Sequence, residues 1–81
     1  MKTKGIDNAT RRLEGARQLG SALLLARAEE EARLILGQAS AWLERSQARP
    51  ELSASRAGDC QAMAAAIEKL QAALNAGEAV R

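Results

Sequence analysis

Histidine, tyrosine and phenylalanine are absent from this chain, and cysteine, proline and tryptophan occur once each. Each gap removes a class of function. Without histidine, a serine or cysteine nucleophile lacks its commonest base, and lysine, confined to Lys2, Lys4 and Lys69, forms no substitute cluster. One cysteine and no histidine cannot build a structural zinc site, and no acidic spacing follows a calcium loop. Gly15, Gly20 and Gly37 are scattered through helical sequence rather than gathered into a phosphate-binding loop. The expectation is a protein that is not an enzyme, with no catalytic, cofactor-binding or metal-binding residues. Cys60 cannot form an internal disulfide, which is compatible with a reducing cytoplasm. At a helix N-terminus it would have a reactive thiol, whereas at an apolar seam position it is a small buried hydrophobe, and the second reading is favoured.

Long hydrophobic runs are also missing. Residues 1–12 carry Lys2, Lys4, Arg11 and Arg12 with Ile6 as the one strongly apolar side chain, so they lack the apolar core of a signal peptide. The run from Ala22 to Ala28 is short and interrupted by Arg27. It falls far below the roughly 20 apolar residues that span a bilayer. No membrane insertion and a cytoplasmic location are expected.

Charge of one sign is scarce: 12 basic against 10 acidic residues leave a formal charge of +2, so the isoelectric point near 9.2 overstates the positive surface. Lys2, Lys4, Arg11, Arg12 and Arg17 form a modest basic cluster, interrupted by Glu14 and without an aromatic for base stacking. Nucleic acid is therefore disfavoured as a partner. The consecutive Glu29, Glu30 and Glu31 diverge by about 100° each on a helix, too far apart to converge on one cation, and are expected on a solvated face. Glu29 precedes Arg33 by four residues, the favourable orientation for a helical ion pair.

What the chain does have is apolar periodicity. Leu25, Ala28, Ala32, Ile35, Ala39 and Trp42 form one stripe, Cys60, Met63, Ile67, Leu70 and Leu74 a second, and Pro50 lies between them. Spacings of three and four residues put each set on one side of a helix, which predicts an all-α antiparallel helical hairpin zipped along a coiled-coil-like seam. The 81 residues form a single small domain. Residues 1–6 read as a flexible tail, with Asp7 or Asn8 as N-cap of a first helix over 8–47. The turn covers 48–54, the second helix 55–76, and residues 77–81 form a tail behind a stop at Asn75 and Gly77. The start of the second helix is open between Pro50, a Ser53 or Ser55 cap, and Asp59. An earlier stripe, Leu13, Ala16, Gly20 and Leu23, changes phase near Gly20, so the first helix is either bent or broken at Gly20 and Ser21. Gly37 is expected to allow a close helix contact.

The stripes are mismatched. Leu13, Leu23, Leu24, Leu36 and Leu43 exceed what an alanine-rich second helix can cover, so partner helices are expected to complete the fold. The candidate partner-binding positions are Leu24, Leu25, Ile35, Leu36, Trp42, Leu43, Met63, Ile67, Leu70 and Leu74. They suit a non-catalytic interaction module that binds a helical protein, or itself, as a hetero- or homo-oligomer. The alternative is a self-assembling helical-bundle regulator that binds RNA or inhibits a target protein.

The order of a long first helix, a turn around Arg49, Pro50 and Glu51, a polar stretch through Gln61 and an apolar, Ala-rich second helix (Ala64, Ala65, Ala66, Ile67, Leu70) resembles the small two-helix co-chaperones of type III secretion needle subunits. The resemblance covers residues 24–76. It implies a protein that pairs with a larger helical-repeat chaperone and keeps the needle subunit from polymerising in the cytoplasm. Members often place an aromatic early in the second helix, where this chain has none.

Overall fold

A computed structural model of the chain describes residues 3–51 and 57–80, with side chains described as far as residue 76. Its architecture is all-helical, with α1 at Lys4–Leu19, α2 at Ala22–Gln47 and α3 at Ala57–Val80. Among the described residues three long helices stand where a two-helix hairpin was expected, because the first predicted helix is broken at Gly20.

The break has a local cause. Gly20 takes a left-handed backbone with φ of 71°, the only positive φ among the described residues, and its N–H bonds back to the Arg17 carbonyl at 3.2 Å. A residue with a Cβ resists that conformation, so glycine is the natural stop. Ser21 follows in extended geometry as N-cap of α2, its Oγ accepting from the Leu24 N–H at 3.3 Å. A two-residue connection turns α1 back along α2. The Arg12 guanidinium then reaches Glu31 across the pair at 3.3 Å.

α2 ends at Gln47, within the window set by the proline, and Ala48 donates to the Glu44 carbonyl at 3.0 Å. Pro50 and Glu51 have helical backbone, which the ring of a proline at a first helical position permits. The proposed Ser53 and Ser55 caps lie outside the described residues. α3 returns antiparallel to α2 and parallel to α1: Met63, Ile6 and Trp42 line one pocket toward one end of the bundle, and Arg17 donates to the Ala73 carbonyl toward the other. All three helix pairs are in contact. The bundle measures 45 × 19 × 16 Å, its long axis set by α2, which at 1.5 Å per residue extends about 39 Å.

Two expected boundaries are corrected. Residues 4–6 are helical rather than a tail, because Ile6 opens a buried stripe of Ile6, Ala9, Leu13 and Ala16 that holds the first turn of α1 on the core. The residue before that helix is Thr3, not Asp7 or Asn8. At the other end α3 continues through Asn75 and Gly77 to Val80. Glycine in a helix interior costs about 1 kcal/mol but ends the helix only when it turns left-handed, which Gly77 does not.

The core is thin in side-chain volume. Of its buried cluster, Ala9, Ala16, Ala28, Ala32, Ala39, Ala66 and Ala73 are alanines that let backbones approach closely, while Ile6, Leu13, Met63, Leu70 and Leu74 supply the bulk. Leu25, Ile35, Leu36, Trp42 and Ile67 pack half-buried against it. Leu13, counted from sequence among the surplus leucines, is 0% exposed. Once α1 is an independent helix, the chain itself supplies much of the cover that the two-stripe reading assigned to a partner.

Leu13 and Leu70, both fully buried, are expected to lose about 2–5 kcal/mol of stability on substitution to alanine, measured by urea unfolding. Gly20→Ala should lose about 1–2 kcal/mol in the same assay, from backbone conformation alone, because nothing crowds a Cβ placed there.

Candidate interaction face

The ten positions singled out from the sequence fall into three groups. Met63, Leu70 and Leu74 are buried in the chain's own core, so they are corrected from partner contacts to internal packing. Leu25, Ile35, Leu36, Trp42, Leu43 and Ile67 are half-buried, all but Leu43 as packing around that core. Leu24 alone is open, at 45% exposure. The seam stripes located the inside of the molecule rather than a docking surface.

The exposed apolar face lies elsewhere. Leu19 and Leu23 are each 73% exposed and Leu34 is 65% exposed. Leu19 and Leu34, with Leu24, line an open groove of about 1140 Å³ between α1 and α2, and Leu23 lies outside that lining. Gly15, Ala16 and Ala28 form the small-residue part of its lining, and Leu19, Leu24 and Leu34 its bulky apolar part. The groove also carries both signs of charge, with Arg12, Arg27 and Arg33 set among Glu30 and Glu31. Leu23 was visible in the sequence as a residue off the main stripe. Leu34 and Leu19 were missed, because a leucine beside a stripe signals exposure only when the neighbouring helices are placed.

Of the three consecutive glutamates, Glu30 and Glu31 are exposed as expected. Glu29 is not: it is buried, because its direction on α2 falls at the edge of the core-facing arc. Its carboxylate lies 3.9 Å from the Arg33 guanidinium, the ion pair expected from the four-residue spacing. The basic cluster is also partly committed inside the fold. Arg12 pairs with Glu31, and Arg17 donates to Ala73. Gly37 makes no close helix contact, since nothing lies within 4 Å of a Cβ placed there, which corrects the expectation for that residue.

Cys60 is buried near the start of α3, at the small apolar position preferred for it. Among the described residues no three acidic, cysteine or histidine side chains converge as a metal site. Also among the described residues, no helix is long and apolar enough to cross a membrane. Comparison with protein-family models, with curated proteins and with solved structures finds no match to this chain.

The contrast between inward and outward leucines is directly measurable. Leu19→Gln is expected to change the unfolding free energy by no more than about 0.5 kcal/mol, because the side chain is already in water. Leu13→Gln places an amide in a fully apolar site and should abolish the cooperative transition in circular dichroism.

Proposed function

We propose that this chain is a non-catalytic protein–protein interaction module, a small helical adaptor that receives an amphipathic helix on its leucine face. The observation carrying this reading is that Leu19, Leu23 and Leu34 stay largely exposed although the three helices already close a core. Large apolar side chains gathered on one side of a small protein mark a surface awaiting cover. A groove between two helices, with glycine and alanine in its lining and leucines beside them, has the form in which a third helix docks by its apolar residues. The interspersed arginines and glutamates would set register and orientation more than affinity.

The resemblance to type III secretion co-chaperones offers one class of partner for this role, a larger helical-repeat chaperone in the cytoplasm. An adaptor of this kind needs no chemistry of its own. Its contribution is a preformed helical surface that buries apolar residues the partner would otherwise expose.

Burying one leucine stabilises an interface by about 2 kcal/mol, roughly thirtyfold in affinity. Leu34→Asp and Leu24→Asp, each placing a charge on the face, are therefore expected to reduce capture of the bound protein at least that far in pull-downs from the source cell. Circular dichroism should remain that of the unaltered chain. Capture that persists at full strength with the helices intact assigns the interaction to another face.

A further inference from the structure

The outer side of α2 carries a pattern that its inner packing does not explain. At about 100° per residue, Ala28, Ala32 and Ala39 define the core-facing direction of α2, and Leu23 and Leu34 project within about 40° of the opposite direction. A helix on the surface of a bundle ordinarily keeps that line polar. Here Leu23, Arg27, Glu30, Leu34 and Gly37, all exposed, fall within an arc of about 80° at alternating spacings of four and three residues. This is the a/d spacing of a coiled-coil seam, placed on the solvent side of the molecule. Among the described residues neither Arg27 nor Glu30 makes an ion pair within the chain.

The stripe is complementary to itself in one orientation. Turned through a two-fold axis that passes midway between Arg27 and Glu30, α2 meets a second α2 running antiparallel. Leu23 of each copy then faces Leu34 of the other, and Arg27 of each faces Glu30 of the other. Two leucine layers about 16 Å apart would flank two opposite-charge layers. A parallel arrangement would set Arg27 against Arg27 and Glu30 against Glu30, so charge excludes it. Gly37, with open space around it, would pass the Gly20 turn of the other copy, where neither residue has a side chain to obstruct the approach. Arg27, Glu30 and Leu34 also form the α2 wall of the groove whose other wall is Arg12, Gly15 and Leu19 of α1, and these three α2 residues remain exposed beside it.

We propose that the helix received by the leucine face is α2 of a second copy of this chain, packed antiparallel about a two-fold axis through Leu23, Arg27, Glu30 and Leu34. This inference rests on the reading of that face as an interaction surface and supplies its occupant. The leucine layers bring the copies together, and the arginine–glutamate layers fix antiparallel register.

Sedimentation equilibrium on the full chain tests it. The unaltered protein should dimerise reversibly. Arg27→Glu and Glu30→Arg each turn both charge layers repulsive and should raise the dimer dissociation constant about tenfold or more, with helix content unchanged. Mixed in equal amounts, these two variants should form a heterodimer of near-normal affinity, because the chain with two glutamates then meets the chain with two arginines. The double variant Arg27→Glu, Glu30→Arg should likewise dimerise on its own. Three results overturn the proposal: an unaltered chain that stays monomeric up to millimolar concentration, single charge variants that dimerise normally, or a mixture that does not recover. If the chain is monomeric but Leu34→Asp still abolishes capture of another helical protein, self-pairing falls and the adaptor reading stands. If Leu34→Asp changes neither mass nor capture, both fall.

Discussion

The left-handed backbone at Gly20 is the constraint on which the rest of the structure depends. A helix running without interruption from Lys4 to Gln47 would be a rod about 66 Å long, with Ile6, Ala9, Leu13 and Ala16 far from any apolar neighbour. One residue in the αL region, followed by Ser21 as a cap, reverses the chain and brings those four side chains onto α2 and α3. The reversal also places Leu19 and Leu24 on either side of the turn, so one backbone angle both completes the core and opens one end of the groove. Arg12 and Arg17 then act as cross-ties, to Glu31 on α2 and to the Ala73 carbonyl on α3.

The alanines determine what kind of bundle this is. Close approach through Ala9, Ala16, Ala28, Ala32, Ala39, Ala66 and Ala73 buries little area per residue, so the fully enclosed leucines Leu13 and Leu70 carry a large share of the transfer free energy. A bundle packed this tightly is narrow, 19 × 16 Å across. The central α2 consequently keeps a long flank in solvent. Polar residues would normally fill that flank, and Leu23 and Leu34 do not.

Much of the fold could be read from residue spacing. Gly20 and Ser21 were recognisable as a breakpoint, the end of α2 followed from Pro50, and the seam residues Leu25, Ile35, Trp42, Met63, Ile67, Leu70 and Leu74 do pack together. Two features were not readable. Local signals of capping and glycine propensity suggested helix limits near Asp7 and Asn75, while the buried stripe from Ile6 extends α1 to Lys4 and the absence of a left-handed residue lets α3 continue past Gly77. The outward face was the second, because periodicity identifies the side of a helix that is buried and leaves the remaining leucines unassigned. Whether Leu13 is surplus or core depends on where α1 lies, which only the turn at Gly20 decides.

The runs Leu23–Leu25 and Leu34–Leu36 show why one helix can carry both faces. They are eleven residues apart, close to three full turns, so equivalent members of the two runs point nearly the same way. The spacing that turns Leu25 and Leu36 together toward the core turns Leu23 and Leu34 together away from it. Three consecutive apolar residues on a helix span some 200°, more than one neighbouring surface can cover. α1 and α3 account for the inward members. The outward members recur in register with each other and enclose an arginine and a glutamate of opposite sign. A periodic outer stripe with opposite charges at its centre matches itself in the antiparallel orientation, which is the basis of the pairing proposed for a second copy.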